Sequence, residues 1–164
     1  MAQIHNYRKE GQAVREYPTT GTDVIEVGDI CVVSSGNARP ASVITDTTGT
    51  TTAARKLVVN DGVADAFIGI AMLGKRTDET PTILVMTDGV FELSIADASG
   101  IATGDLVSCD ASDNGTTATA LTKTVIAATS TNGIGKAARP GVTNGTELTV
   151  HLRGGGMSSG PTVD

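Results

Sequence analysis

Ile83-Leu84-Val85-Met86-Thr87-Asp88-Gly89-Val90-Phe91-Glu92-Leu93 forms the middle of a stretch from Pro81 to Val107 on which the reading of the fold turns. A β-rich run, an Asp-Gly pair, and a second run alternating Val90 and Glu92 with Phe91 and Leu93 form the short-range pattern of two paired strands joined by a tight turn. The segment Ser94 to Ala102 is too short for more than one helical turn. Thr103-Gly104-Asp105-Leu106-Val107 then reads as another turn feeding a strand. The stretch holds Phe91, one of only two phenylalanines, so it is expected to help seed the core.

Working outward, one phrase occurs twice: Gly-Asp-apolar, a polar excursion, Ile-Gly-x-Ala, and a β-run. Val27-Gly28-Asp29-Ile30-Cys31-Val32-Val33 leads to Ile68-Gly69-Ile70-Ala71 and then to Ile83 through Gly89. Thr103-Gly104-Asp105-Leu106-Val107-Ser108-Cys109 leads to Ile134-Gly135-Lys136-Ala137 and then to Leu148 through Gly154. Two copies longer than a usual solenoid unit point to two related β-subdomains sharing one core, about 24–93 and 94–154, within a β-domain spanning 23–154. Chance recurrence in a Gly-rich chain is the plainer alternative.

The 164 residues suit one domain. Twenty glycines and twenty-five threonines, few helix-forming stretches and 2% aromatic residues give an all-β class. The architecture expected is a compact β-barrel or sandwich with at most one or two short helical turns. Asp46 to Ala54 reads as an exposed polar loop, Leu57-Val58-Val59 as a strand, and Gly69 as a bulge or close backbone contact. Asn114-Gly115 and Asn144-Gly145 read as turns. Residues 1–22 differ in composition, concentrating charge and both tyrosines, and read as an extended arm or, around Gln12 to Arg15, as the first strand. Residues 155–164 read as a flexible Gly/Ser tail.

A net charge of −6 argues against non-specific nucleic-acid binding, which needs Lys and Arg on phosphates. The longest apolar stretch, Ala66 to Leu73, is too short to span a bilayer, and the start lacks the apolar run of a secretory signal. The protein is therefore expected to be soluble and not exported by that route, with no membrane partner.

Catalytic, cofactor and metal motifs are not expected. Gly156-Met157-Ser158-Ser159-Gly160 spells a nucleophile elbow without the helix that must follow its strand or the later Asp and His. Asp110 to Gly115 begins like a calcium loop, but Leu121 stands where the bidentate acid belongs. Two distant histidines, His5 and His151, and two isolated cysteines, Cys31 and Cys109, form no zinc pattern. The cysteines read as small buried residues, a disulfide between them remaining open.

The order of these phrases carries a resemblance. Glu10-Gly11-Gln12-Ala13-Val14, Val27-Gly28-Asp29, Ile68-Gly69-Ile70-Ala71, Met86 through Leu93, and Gly104-Asp105-Leu106-Val107-Ser108-Cys109-Asp110 resemble the small head-decoration, or capsid cement, proteins of tailed bacteriophages. Ile134-Gly135-Lys136-Ala137 and Leu148 to Leu152 resemble that family's closing segment. The likeness covers most of residues 10–154. Ser108 and Cys109 stand where the family often carries an aromatic pair, and Asp46 to Val63 is longer than is common.

The resemblance implies a non-catalytic virion protein, made in the host cytoplasm, that binds the outer capsid surface. It commonly acts as a homotrimer and bridges neighbouring major capsid protein subunits. On that reading Gln3, Ile4, His5, Asn6, Tyr7, Arg8 and Lys9 are the arm contacts and Tyr17 is an anchor. The competing readings are a carbohydrate- or receptor-binding surface module, which the scarcity of aromatics opposes, and a small hydrolase, which would need His151 beside a nucleophile and an acid.

Overall fold

The computed structural model describes residues 14–79, 82–128 and 133–153. Eleven strands and one α-helix follow in the order β1 (Val14–Tyr17), β2 (Ile30–Ser34), β3 (Asn37–Pro40), β4 (Thr45–Asp46), α1 (Thr52–Ala66), β5 (Phe67–Ala71), β6 (Ile83–Met86), β7 (Asp88–Ile95), β8 (Leu106–Asp113), β9 (Ala118–Ala127), β10 (Gly135–Ala137) and β11 (Glu147–Arg153). The fold is all-β with two sheets, as the composition led us to expect.

The first sheet runs β1-β6-β5-β2-β3. Its outer strands are brought together by a parallel bridge from Thr19 to Ala38. In the second, β7-β11-β10-β8-β9 closes on itself, because β9 pairs with β8 antiparallel and with β7 in parallel at Ser94–Thr124 and Ile95–Val125; β4 is appended to β9. Each half is thus a small curled barrel with the same strand order.

The recurring phrases adopt the same hydrogen-bonded arrangement. Gly28 and Gly104 take φ of 90° and 91°, a conformation cheap only for glycine. The Gly28 amide donates to Ala71 (2.9 Å) and the Ala71 amide to the Asp29 carbonyl (2.9 Å). Gly104, Ala137 and Asp105 repeat both bonds at 2.8 Å. The Asp29 carboxylate accepts from the Glu26 amide, and the Asp105 carboxylate from the Ala102 amide, each at 2.8 Å, closing the turn as short acidic side chains do. Register agrees as well: Cys31–Gly69 corresponds to Val107–Gly135, Val85–Ala71 to Val150–Ala137, and Val14–Met86 to Val90–His151. The interiors match position by position, with Ile25, Cys31, Ala38, Ile68 and Val85 in one half standing where Ile101, Val107, Val125, Ile134 and Val150 stand in the other, all buried.

Three expectations need correction. First, Ile83–Met86 and Val90–Leu93 do not form a hairpin. β6 pairs with β1 and β5, β7 pairs with β11 and β9, and the lone Thr87 carries the chain from one sheet to the other. Asp88 and Gly89 are themselves laddered to Arg153 and Leu152, so they are not free to turn. The repeat of strand order therefore begins at β1 and β7 and changes over at Thr87.

Second, the helical content exceeds one or two turns: α1 spans 15 residues, Thr52–Ala66. It takes in Thr52, Ala53 and Ala54 of the expected loop and the whole Leu57-Val58-Val59 run expected as a strand. Thr51 caps it, its hydroxyl accepting from the Ala54 amide at 3.2 Å. The turn-like triplet Asn60-Asp61-Gly62 lies inside the helix because tertiary packing holds it there. Asn60 is buried, and its amide nitrogen, in the orientation that satisfies both groups, donates to the carbonyls of Lys56 (3.0 Å) and Cys109 (2.8 Å). Third, of the two readings given for residues 1–22, the first strand holds over Val14–Tyr17, reaching two residues beyond Arg15, and the arm does not extend to these residues.

The helix also explains how the halves join. The first half inserts a single 3-10 turn (Ala41–Val43), β4 and α1 between β3 and β5; the second instead lengthens its β8–β9 hairpin beyond the irregularity at Cys109/Ala111. These two additions pack on each other, with Val59 and Val63 of α1 in one buried cluster with Ala111, Ala118 and Ala120 of the hairpin. Each half supplies the piece that covers the other.

Candidate functional site

Of the residues expected to contact a partner, Gln3, Ile4, His5, Asn6, Tyr7, Arg8 and Lys9 lie outside the described residues. Tyr17 lies in β1 opposite Ile83, half-buried and packed on the inner cluster of the first barrel. Its equivalent in the second barrel is the core residue Leu93, so much of the ring is used in packing.

Among the described residues the histidine is paired and both cysteines are buried. His151 Nε2 lies 2.9 Å from Asp88 Oδ1 on the exposed surface, across the β7–β11 ladder. Cys31 and Cys109 are free and buried, not paired, and burial pushes both thiols up to about 12; a thiolate at neutral pH is thereby disfavoured. Among the described residues no group of three His, Cys, Asp or Glu could hold a metal ion. The calcium-like loop spends its oxygens locally. Asp113 accepts from the Gly115 amide at 2.7 Å, and Asn114 Oδ1 accepts from the Thr116 and Thr117 amides.

Asp113 also receives Arg55. The guanidinium makes a two-pronged pair at 2.6 and 2.9 Å and donates further to the carbonyls of Gly49 and Gly115. Both side chains are nearly enclosed, 7% and 2% exposed. Every prong ties the helix to the hairpin or to its own entry loop. The Arg55 hydrogen bond holds the Asp113 carboxyl down to about 2 from its ordinary 3.8. A carboxyl depressed on folding adds stability at pH above its unfolded value, and that stability is lost as pH falls through the folded value. We expect thermal stability to drop between about pH 4 and pH 2, and Asp113→Asn to flatten that part of the profile while lowering stability at neutral pH; melting curves across this range test it.

A second set of charges joins the halves elsewhere. Lys123 of β9 pairs with Glu26 and lies 3.7 Å from Asp29, both from the first half. Burial raises the Asp29 carboxyl, whereas the Lys123 hydrogen bond lowers that of Glu26. Asp23 is held by Arg39 at 2.6 and 2.9 Å, and the buried Lys75 donates to the Asp23 carbonyl.

Next to these charges lies the candidate surface. Residues 24–28 and 71–75 run side by side, linked by Ile25–Lys75 and Gly28–Ala71 hydrogen bonds. Three large apolar residues on them, Val24, Val27 and Leu73, are each about half exposed. Val24 also lines a shallow depression of about 460 Å³, together with Ile25, Glu26, Gly74, Lys75, Arg76 and Glu79; Val27 and Leu73 lie next to lining residues in the sequence. No aromatic side chain lines it, so it offers no stacking platform for a sugar.

The repeat supplies an internal control. The positions equivalent to Val24, Val27 and Leu73 in the second barrel are Gly100, Thr103 and Arg139. The barrel therefore does not require apolar residues there, and the patch is a property of the first half alone.

Comparison with known proteins found no family model that matches this chain and no curated protein that matches it. Among the described residues no helix is long and apolar enough to cross a membrane.

Sequence reading missed this patch because its three residues are scattered between short turns and show no periodicity. The signal lies in the repeat: aligning the two copies exposes where an apolar residue in one faces a polar one in the other.

Proposed function

We propose that this chain is a non-catalytic virion structural protein that binds the outer surface of a tailed-phage head and bridges neighbouring major capsid subunits. The observation that carries the reading is the exposure of Val24, Val27 and Leu73, large apolar residues where the equivalent positions of the sister barrel hold Gly100, Thr103 and Arg139. Exposed apolar clusters rimmed by charge mark surfaces that bind other proteins. The order of phrases shared with capsid cement proteins names the kind of partner, and reactive groups that are buried or paired suit a protein that works by contact. A homotrimer would gain avidity, since linked weak contacts act at high effective concentration.

The test adds purified protein to expanded heads. Saturable binding that raises the temperature at which the heads open supports the proposal. The Val27→Lys/Leu73→Glu double variant, whose changed side chains lie at the surface, is expected to lose about tenfold or more in affinity, as when two anchor residues of an interface are removed, with its own melting temperature unchanged. Wild-type protein that leaves heads bare, or a double variant that binds undiminished, would reject the proposal or the assigned surface respectively.

A further inference from the structure

Among the described residues one buried carboxylate oxygen has no hydrogen-bond partner, Asp29 Oδ1. Asp29 closes the turn 26–29 of the first half with its other oxygen, Oδ2, which accepts from the Glu26 amide at 2.8 Å. The side chain is only 5% exposed, and Lys123 Nζ, brought from β9 of the second half, stands 3.7 Å from the unengaged Oδ1. The same ammonium pairs with Glu26 at the surface. Two acids of one half thus share one ammonium of the other. The repeat supplies a contrast: Asp105 makes the same bond to the Ala102 amide, yet it is exposed, and no base among the described residues pairs with it.

The charged groups that face Asp29 are Lys123 and Glu26. The neighbouring Cys31 thiol, which donates to the Asp29 carbonyl at 3.6 Å, is pushed up to about 12 by burial and stays neutral. Burial raises the Asp29 carboxyl above its ordinary 3.8 against the pull of the Glu26 amide, the Thr122 side chain and Lys123, whereas Glu26 and Asp113 are held low by their basic partners. As pH falls, Asp29 is therefore protonated before either of them. A carboxyl raised on folding contributes stability below its unfolded value and loses it as pH rises through the folded one, so taking up this proton does not begin unfolding.

From this arrangement we infer that Asp29, Glu26 and Lys123 form a proton-operated link between the two halves. A solvent proton adds to Oδ1, the oxygen that the turn leaves unengaged. The neutral hydroxyl no longer attracts the ammonium, and Lys123 withdraws to Glu26. Oδ2, now a neutral acceptor, also holds the Glu26 amide less strongly, because hydrogen bonds to an ionised acceptor are the stronger ones. One proton thus opens a contact between the halves and loosens the turn that carries Val27. The link is a property of the chain alone and does not depend on capsid binding.

Nuclear magnetic resonance titration of the full chain from neutral to acid pH tests it, read at the Glu26 amide proton and the Lys123 Cε carbon. The first step on acidification is expected at both probes with one shared midpoint above 3.8, and Asp29→Asn should abolish that step at both. Lys123→Met, which removes the cation favouring the carboxylate, should move the midpoint up. Glu26→Gln, which removes a like charge and leaves Lys123 to Asp29, should move it down. The Ala102 amide, on the equivalent turn of the second half, should keep its curve in both variants. Separate midpoints at the two probes overturn the inference, and so does a first step that survives Asp29→Asn. A midpoint that Lys123→Met leaves in place in folded protein does the same; should that variant not fold, Glu26→Gln, a change at an exposed side chain, decides in its stead.

Discussion

Gly135→Ala should cost about 2–4 kcal/mol of stability, the combined scale of overpacking and backbone strain, and lower the melting temperature by about 5–15 °C for a chain of this size. A Cβ at Gly135 would fall inside contact distance of the His151 carbonyl oxygen, with Leu152 beside it. The obstacle is backbone in the central ladder between β10 and β11, which cannot rotate aside. Gly69→Ala should behave alike, because the Met86 carbonyl occupies the equivalent place and Gly69 also has φ of +143°. Gly104→Ala is the control: its φ is positive but no atom lies within 4 Å of the added carbon, so only the conformational cost of about 1 kcal/mol remains. Thermal melts of the three variants decide the matter. If Gly69→Ala and Gly135→Ala are no worse than Gly104→Ala, the close approach of the central strands is not as described.

Val59→Asp should be the most damaging single change in the helix, costing more than about 4 kcal/mol, as burial of an unpaired charge does. Val59 is fully buried in the cluster that joins α1 to Ala111, Ala118 and Ala120. A carboxylate there would have to keep its water or be protonated, and either outcome pushes the helix off the β8–β9 hairpin. Because the same helix carries Arg55, its displacement would also strip Asp113 of its partner. Circular dichroism and urea unfolding would show a lower midpoint. Val58→Asp, one residue along but half exposed, should cost little, and equal effects at the two positions would place the helix face wrongly.

Much of the fold was legible because its punctuation is chemical. Gly28-Asp29 and Gly104-Asp105 announce turns that need a positive φ and a short acid to bind the backbone, and both turns form. Gly69, read as a close contact, sits against Met86 and opposite the register shift at Cys31/Val32. The helix was hidden for a physical reason: with Val58 outward and Val59 inward, an amphipathic period never develops, and Asn60-Asp61-Gly62 imitates a turn. The Asp88-Gly89 hairpin failed because a two-residue turn motif specifies local geometry only. Here Gly89 is needed as a strand residue beside Leu152, and longer-range pairing won. Tyr17, read as an anchor because tyrosine is a residue type that anchors interfaces, is half-buried against the first barrel's inner cluster and aligns with Leu93 in the repeat. The candidate surface was the least visible, since exposure of Val24, Val27 and Leu73 depends on which side of two paired segments each occupies.

The junction at Thr87 has a topological corollary. Val14, at the head of β1, is laddered to Met86, and Arg153, at the tail of β11, to Asp88, with one residue separating those two partners. The first and last described residues therefore stand at a common doorway, where entry to one barrel and exit from the other share a single corner of the fold.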